Sequence, residues 1–167
     1  MIMGLFGTKK NGSEGFPFEI ASPADGKVTE MKNIPDPVFS AGVLGPCVGV
    51  EPANGAVKAP FDGKITQVAD TFHAVGIEST CGVEMLLHLG VDTVSLGGKG
   101  FDCHVHTGDK VKKGDPLIDM DTETVKNAGF STVVISVVTN ADDFGGLEFT
   151  SDNTVNAGDR LITVSKK

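Results

Sequence analysis

The sequence predicts an all-β domain, a barrel or a sandwich, with very little helix. Short segments rich in Val, Ile and Thr recur along the chain, and Gly, Pro, Asn and Asp separate them at short intervals. Short strand-forming segments that are separated by turn-forming residues in this way are typical of antiparallel sheets. Two internal sequence echoes suggest a sheet built from similar halves. The length of 167 residues is enough for one domain with a substantial core and short for two.

Composition and charge exclude several classes of function. Hydrophobic residues make up 40% of the chain and charged residues 22%, as in ordinary globular domains. The net charge is -8 and no basic face is visible, so nucleic-acid binding is not expected. No apolar run approaches the roughly 20 residues of a membrane-spanning helix. Cys47, Cys81 and Cys103 match no paired framework or CxxC site, so reduced thiols in a cytosolic protein are expected.

The chain begins with a segment that differs from the rest. Residues 1–16 are expected to form a flexible N-terminal tail, in which a short apolar stretch precedes a polar, Gly-rich one. A weak surface anchor is the alternative, although six apolar residues are few for a stable amphipathic helix. The domain itself is expected to occupy residues 17–167.

Within the domain, strands are predicted at residues 27–29, 48–50, 64–68, 132–138 and 161–164. One short helical turn is predicted at residues 122–127, directly after Asp121. Three dipeptides are expected to form turns, because glycine accepts the positive φ that tight hairpins need. They are Asp25-Gly26, Asn54-Gly55 and Asp62-Gly63.

The two echoes are short but regular. Residues 23–29 resemble residues 60–66, and residues 111–118 resemble residues 155–162. An internal duplication explains them, and so does coincidence, because turn chemistry alone allows few residue types.

The most informative stretch runs from His73 to His88, where two apolar segments flank a polar turn that contains Gly82. A hairpin with a two-residue or four-residue loop pairs His73 directly with His88. Opposed residues share one face of the sheet, with Cβ atoms about 4.5 to 5.5 Å apart. Val75 and Leu86 would pair on that same face. A loop with an odd number of residues would place the two histidines on opposite faces.

Two adjacent imidazoles are suited to phosphoryl chemistry. A neutral imidazole has one lone-pair nitrogen, which can attack phosphorus without prior deprotonation, and a second ring can hydrogen-bond to the phosphoryl oxygens. Phosphoryl transfer needs mainly positioning and charge stabilisation. Thr71 is placed to fix the tautomer of His73. The alternative at this point is a pair of half-buried histidines without chemistry.

A thirteen-residue segment, residues 82–94 (GVEMLLHLGVDTV), resembles the phosphorylation-site signature of the glucose-type enzyme IIA domains of the bacterial sugar phosphotransferase system. That signature has a Gly, two variable positions, three apolar residues and the phosphorylated His, followed by apolar-Gly-apolar-x-Thr-apolar. Every position fits. The resemblance extends from about Phe18 to the C-terminus, through residues 34–39, 71–74 and 96–101.

The resemblance implies a flattened antiparallel β-sandwich of the duplicated hybrid motif type. It also implies a phosphohistidine relay without cofactor or metal. His88 would accept phosphate from the histidine-containing phosphocarrier protein and pass it to a cysteine on the IIB domain of a sugar permease. His73 would stabilise the phosphorylated state with Thr71 bonded to it, and Gly90 would offer its carbonyl to His88. Sugar would not be bound directly.

A docking surface for these protein partners is expected around His88. The resemblance places Asp36 and Asp92 at its rim, and its apolar part is less aromatic than in some members of the family. A cytoplasmic monomer is expected, which reaches the inner face of the membrane through its permease. The residues expected at this surface are Phe39, Asp36, Asp92, Leu86, Leu89 and Val75.

A zinc-dependent hydrolase of a related β fold is the main alternative. His88-x-x-x-Asp92 and His104-x-His106 together resemble the ligand pattern of a peptidase family, although that family separates the two elements much further. Cys103, with His104 and His106, is also a candidate for a separate metal site.

A carrier domain of the lipoyl or biotinyl type is a second alternative, suggested by the two Val-x-x-Gly-Asp echoes. Such domains hold their prosthetic group on a lysine in a tight hairpin. Lys27 and Lys64 follow Asp-Gly turns but do not match the usual attachment pattern.

Overall fold

The structure is a computed structural model, and it describes residues 15–167. This part of the chain contains fourteen strands and two short α-helices, and all neighbouring strands in its sheets pair antiparallel. The predicted all-β class and the scarcity of helix are confirmed. Most of the predicted tail lies outside the described residues. Of its last two residues, Phe16 packs against the core, with its ring 5.7 Å from that of Phe144.

The largest sheet has eight strands: β2 (Gly26–Glu30), β3 (Cys47–Pro52), β5 (Gly63–Val68), β6 (Ala74–Ser79), β7 (Glu84–Leu89), β9 (Lys110–Val111), β11 (Val134–Val138) and β13 (Thr154–Val155). They lie in the order β13-β2-β3-β11-β7-β6-β5-β9. The central strand β11 has the sequence VISVV and is buried along its whole length. Four of its five residues are apolar, as burial on both faces requires, and the polar Ser136 is buried among them.

Two three-stranded sheets complete the fold. One contains β1 (Phe18–Ala21), β14 (Arg160–Ser165) and β12 (Gly146–Phe149), and the other contains β4 (Ala56–Lys58), β10 (Pro116–Met120) and β8 (Phe101–Cys103). The helices are α1 (Pro37–Ser40) and α2 (Thr122–Asn127), and 3-10 turns occupy Met31–Asn33, Thr93–Leu96 and Ala141–Asp143. The helix α2 coincides with the predicted helical turn. Asp121 caps it by accepting a hydrogen bond from the Thr124 N–H at 3.2 Å.

Apolar residues collect on both faces of the large sheet. The main core lies between the sheets and includes Val134 and Val138 of β11. A smaller cluster lies on the opposite face, where Ile135 and Val137 of the same strand meet Phe39 of α1. Burying a large aliphatic or aromatic side chain contributes about 1.5–3 kcal/mol. The smaller cluster therefore anchors α1 firmly to the sheet.

The two sequence echoes occupy equivalent places in the fold. A carboxylate oxygen of Asp25 accepts a hydrogen bond from the Ala157 N–H at 2.7 Å, and one of Asp62 accepts from the Lys113 N–H at 2.8 Å. The strand pairs β2–β13 and β5–β9 correspond in the same way, since Gly26 and Gly63 each begin a strand beside one of the Val-x-x-Gly-Asp segments. Matching long-range contacts favour duplication over coincidence.

The three turn dipeptides lie where the chain crosses from one sheet to another, and they do not close two-residue hairpins. Their glycines allow backbones to approach closely. A Cβ on Gly26 would lie 1.9 Å from the Glu51 carbonyl oxygen, and one on Gly63 would lie 2.3 Å from that of Glu78. The chain changes direction at each dipeptide as predicted. The positive φ predicted for glycine is found at Gly26, at 158°, but not at Gly55 or Gly63, where the close approach of backbones accounts for the glycine.

Candidate functional site

The strands β6 and β7 form the predicted hairpin, but in a different register. Ala74 lies opposite His88, and Val75 lies opposite Leu87. The prediction that His73 pairs with His88, and Val75 with Leu86, was therefore wrong by one residue.

The loop of this hairpin explains the shift. The Ser79 N–H donates to the Val83 carbonyl at 2.9 Å, which leaves a loop of three residues, Thr80, Cys81 and Gly82. Gly82 has a φ of 91°, and a three-residue hairpin loop requires such a left-handed residue. The odd loop length moves every pair of the hairpin by one position.

The two imidazole rings lie next to each other despite this shift in register. Their ring centroids are 5.0 Å apart and the ring planes lie at 79°. His73 precedes the first residue of β6, and Phe72 before it has a φ of 59°. The alternation of side chains along a regular strand therefore does not govern His73. An irregular entry into the strand, rather than the predicted register, brings the rings together.

His88 has one ring nitrogen committed to the backbone. Its Nδ1 lies 2.7 Å from the Gly90 carbonyl oxygen, and because a carbonyl can only accept, Nδ1 carries the proton. In the neutral ring the lone pair is then on Nε2. Burial lowers the pKa of His88, while the Gly90 hydrogen bond and the charges of Asp36 and Asp92 oppose this effect. The ring of Phe39 lies 4.9 Å from that of His88.

His73 is held by its neighbour Thr71, as the sequence predicted. The Thr71 Oγ1 and the His73 Nδ1 are 2.6 Å apart. Burial lowers the pKa of His73, and the nearby His88 lowers it further. If the Thr71 hydroxyl donates to Nδ1, the proton of the neutral ring lies on Nε2, which can then donate to a third group.

Strained backbone flanks both histidines. In the described part of the chain, Phe72 and Asp92 are the two residues other than glycine with positive φ, at 59° and 62°. Phe72 directly precedes His73, and Asp92 follows the Gly90 carbonyl that His88 contacts. Such conformations cost about 1–3 kcal/mol each and concentrate at functional sites.

The predicted docking residues fall into three groups. Val75 and Leu89 are 1% and 0% exposed and belong to the main core, so they are not available to a partner and that part of the prediction was wrong. The true register places them on the inner face of the sheet. Phe39 is 6% exposed and supports His88 from the side. The remaining three residues, Leu86, Asp36 and Asp92, retain accessible surface.

The sequence prediction missed a set of exposed apolar side chains that adjoin the site residues along the chain. They follow or precede predicted site residues: Val38 adjoins Phe39, Phe72 adjoins His73, and Val94 lies two residues after Asp92. The Val43 N–H donates to the Val38 carbonyl at 3.1 Å, which holds residues 43–44 beside α1. The large apolar side chains that are exposed in residues 15–167 are Val38, Val43, Leu44, Phe72 and Val94.

The candidate zinc ligands do not converge. The Nε2 of His104 lies 2.8 Å from an oxygen of Asp119 in β10, with Asp102 also nearby. Cys103 donates its thiol to the Val105 carbonyl at 3.2 Å. Within residues 15–167, potential ligand atoms gather only in the exposed group Asp102, His104 and Asp119. Neither the hydrolase set around His88 nor the set of Cys103, His104 and His106 is assembled.

Both imidazoles are partly exposed. Cavities of about 440, 460 and 300 Å³ lie elsewhere in residues 15–167, and neither ring lines them. No helix in residues 15–167 has the length and apolar character needed to cross a membrane.

Comparisons with known proteins agree with the geometry. The sequence profile described as "phosphoenolpyruvate-dependent sugar phosphotransferase system, EIIA 1" matches residues 18–144. The glucose-specific EIIA component of the phosphotransferase system of Halalkalibacterium halodurans is 41% identical over 146 residues, which cover 87% of this chain and 84% of that protein. The glucose permease IIA from Mycoplasma capricolum superposes with a TM-score of 0.78 and 32% identity, covering 87% of this chain and 94% of that one.

Longer relatives match over one part of their length. The beta-glucoside-specific EIIBCA component of the same Halalkalibacterium halodurans is 41% identical over 148 residues, which are 89% of this chain and 23% of that protein. The chain thus spans about a quarter of the length of this relative. The zinc hydrolase alternative finds no support in any of these matches.

Proposed function

Because the chain belongs to the EIIA 1 family of the phosphoenolpyruvate-dependent sugar phosphotransferase system, we propose that His88 is the residue on which it carries the phosphoryl group. Membership of this family makes the chain a phosphotransferase component that relays phosphoryl groups during sugar uptake. The observation that carries the proposal for His88 is its hydrogen bond to Gly90, 2.7 Å from Nδ1 to the carbonyl oxygen.

This hydrogen bond prepares Nε2 for attack. With the proton on Nδ1 and a lowered pKa, the neutral ring presents a lone pair at Nε2. That nitrogen forms a bond to phosphorus while the phosphorus–nitrogen bond to the donor histidine breaks, and the donor imidazole leaves with the electron pair. The ring of His88 becomes cationic as it acquires the phosphoryl group, and the carboxylates of Asp36 and Asp92 offset part of that charge.

His73 is proposed to stabilise the phosphorylated state. Its ring centroid is 5.0 Å from that of His88, so a phosphoryl group on Nε2 of His88 lies within reach of its side chain. With Nδ1 bonded to the Thr71 hydroxyl, the Nε2–H of His73 donates to a phosphoryl oxygen. Hydrogen bonds to charged acceptors are about twice as strong as neutral ones.

The exposed apolar residues on the segments that carry the site are proposed to dock protein partners. Val38, Val43 and Leu44 lie at α1, Phe72 directly precedes His73, and Val94 follows Asp92 by two residues. Such a surface suits transient contact with another protein rather than capture of a small molecule. The IIB domain of a sugar permease is the proposed acceptor, since relatives combine EIIA with EIIB and EIIC in one component. The histidine-containing phosphocarrier protein is the proposed donor.

The remaining proposals concern context. A relay that takes phosphate from a cytoplasmic donor operates in the cytoplasm, at the inner face of the membrane when it meets its permease. We propose that the chain acts as a monomer and does not bind sugar itself.

The test is intact mass after incubation with phosphoenolpyruvate, enzyme I and the phosphocarrier protein. Wild type should gain one acid-labile phosphoryl group, and His88→Ala should gain none. A wild type that gains none with cognate partners contradicts the relay. A gain in both proteins moves the acceptor to another residue.

The role of His73 has its own prediction. His73→Gln should still accept phosphate on His88, because the nucleophile and its Gly90 hydrogen bond are unchanged. Transfer from His88 to the IIB cysteine should slow by about a hundredfold or more, since the phosphoryl group loses a positioned donor. Single-turnover transfer from phosphorylated protein to purified IIB measures this. A wild-type rate would contradict the role given to His73.

A further inference from the structure

A buried threonine, Thr93, lies beside Leu89 and Gly90, the two residues that bond to His73 and His88. Thr93 is 0% exposed, and its Oγ1 donates to the Leu89 carbonyl at 2.6 Å. Leu89 and Gly90 are the residues that follow His88. The Leu89 N–H donates to the His73 carbonyl at 2.7 Å, and the Gly90 carbonyl accepts from His88. The segment of Leu89 and Gly90 therefore bonds to the backbone of His73 and to the ring of His88.

Gly90 lies between the backbone of residues 131–133 and the side chain of Thr93. On one side its N–H donates to the Val133 carbonyl at 2.7 Å, and the next N–H, of Val91, donates to Ser131 at 3.2 Å. On the other side lies Thr93, whose Cγ2 would be 2.5 Å from a Cβ on Gly90. The hydroxyl of Thr93 thus holds one end of the Leu89–Gly90 peptide while its methyl group packs against the other.

The turn that Thr93 closes is strained, so it needs an internal restraint. Gly90 has a φ of 80° and Asp92 a φ of 62°, and for a residue other than glycine the left-handed region is unfavourable. Such a turn persists only where surrounding contacts determine it. The buried hydrogen bond from Thr93 is the side-chain contact that bridges its two ends.

We propose that Thr93 is a positioning residue for phosphoryl acceptance: its buried hydroxyl keeps the Gly90 carbonyl on Nδ1 of His88 and so leaves Nε2 unprotonated. The inference rests on the proposed function, in which Nε2 of His88 is the nucleophile. The hydroxyl itself does not touch the reacting atoms. It acts through the Leu89 carbonyl, whose position sets the direction of the next carbonyl along the chain.

The test compares Thr93→Val, which keeps the shape and removes the hydroxyl, with Thr93→Ser, which keeps the hydroxyl. Ser22→Ala is the matched control, because the Ser22 hydroxyl is also buried and donates to a backbone carbonyl, that of Ala24, at 2.7 Å. Long-range proton–nitrogen NMR of the histidine rings reports which nitrogen of His88 carries the proton. The rate of phosphorylation by the phosphorylated phosphocarrier is measured on the same proteins.

The wild-type spectrum is expected to show the proton of neutral His88 on Nδ1. Thr93→Val should give a mixture of tautomers and accept phosphate about tenfold more slowly, since a small misplacement of a reacting group is costly. Thr93→Ser and Ser22→Ala should keep the wild-type tautomer and a rate within about twofold.

Three results would overturn the proposal: a wild-type proton on Nε2, an unchanged tautomer and rate in Thr93→Val, or a tautomer shift in Ser22→Ala as large as that in Thr93→Val. If Thr93→Val does not fold, Thr93→Ser still tests the proposal. This variant keeps the hydroxyl, so a shift in its His88 tautomer would contradict the role given to that hydroxyl. A wild type that is never phosphorylated would refute the proposed function instead, and the NMR result would stand independently.

Discussion

At the scale of single residues, burial keeps both site imidazoles neutral. It lowers the pKa of His73 and of His88 from the ordinary value of 6.5. Each ring therefore retains a lone pair near neutral pH, and in the role proposed for it His88 needs no separate base. The two acidic neighbours, Asp36 and Asp92, oppose the effect of burial on His88. In the proposed phosphorylated state, where the ring would be cationic, these two charges would be favourable.

The lowered pKa values predict how stability depends on pH. As pH falls below about 6.5, the unfolded chain takes up protons on these histidines before the native protein does. The free energy of unfolding of wild type should therefore fall over this range, and above it the two histidines should have no effect. Urea denaturation at pH values of about 7.5 and 5.5 measures the change.

The double variant His73→Gln, His88→Gln is the control for this measurement. It should lose less stability than wild type on acidification. The contribution of His104 to the pH dependence of stability has the opposite sign, because its hydrogen bond to Asp119 raises its pKa. His104 is present in both proteins, so this contribution cancels in the comparison. Equal losses in the two proteins would show that the histidine pair is not the source.

At the scale of elements, close packing between strands decides where side chains are tolerated. The start of β5 is an example, since Gly63 lies opposite Ser79 and directly beside the Glu78 carbonyl. Glycine is required there because two backbones meet. Gly26 at the start of β2 has the same role against Glu51. These two positions are equivalent in the two sequence echoes.

We expect Gly63→Ala to lower the free energy of unfolding by about 1–3 kcal/mol, because its Cβ would lie 2.3 Å from the Glu78 carbonyl oxygen. Gly146→Ala is the matched control, since β12 leaves open space around that position. It should change stability by less than about 0.5 kcal/mol. Equal effects of the two substitutions in urea denaturation would argue against the close approach at β5.

At the scale of the whole molecule, the fold consists of two similar halves that share one sheet. In each half an Asp-Gly turn binds the backbone of a distant Val-x-x-Gly-Asp segment, through Asp25 in one and Asp62 in the other. The halves differ in sequence, because the hairpin that carries His88 belongs to one of them. The equivalent contacts join the edge strands to the large sheet at both ends.

Asp25→Ala and Asp62→Ala should each lower the free energy of unfolding by about 1 kcal/mol, because each removes an acceptor for a backbone N–H. The two sites lie at different ends of the sheet, so the double variant should show the sum within about 0.5 kcal/mol. Urea denaturation of the three variants measures both values. A loss confined to one of the single variants would show that the two turns are not energetically equivalent.

Much of the fold follows from local sequence patterns. The predicted strand segments and the helix α2 are present because β-branched runs, Gly-rich turns and the Asp121 cap act over a few residues. The hairpin register could not be read in the same way. Its three-residue loop differs from an even loop in which residue bonds to Ser79, and the same residue types are compatible with either loop length.

The candidate site was predicted in part. His73, His88, Thr71 and the Gly90 carbonyl lie where the signature and its neighbours indicated. The docking residues could not be predicted fully, because a periodic apolar pattern does not say which face of a strand is covered. Val75 and Leu89 face the main core.

By itself, the sequence determined the all-β class, the family and the chemical groups of the site, since each depends on residue types at short spacing. The tertiary structure decided that His73 reaches His88, although the register of the strands does not pair them. It also decided which apolar side chains remain exposed, and it buried Val75 and Leu89 in the main core. These features depend on how backbones from distant parts of the chain pack together, and such packing is not encoded in any one segment.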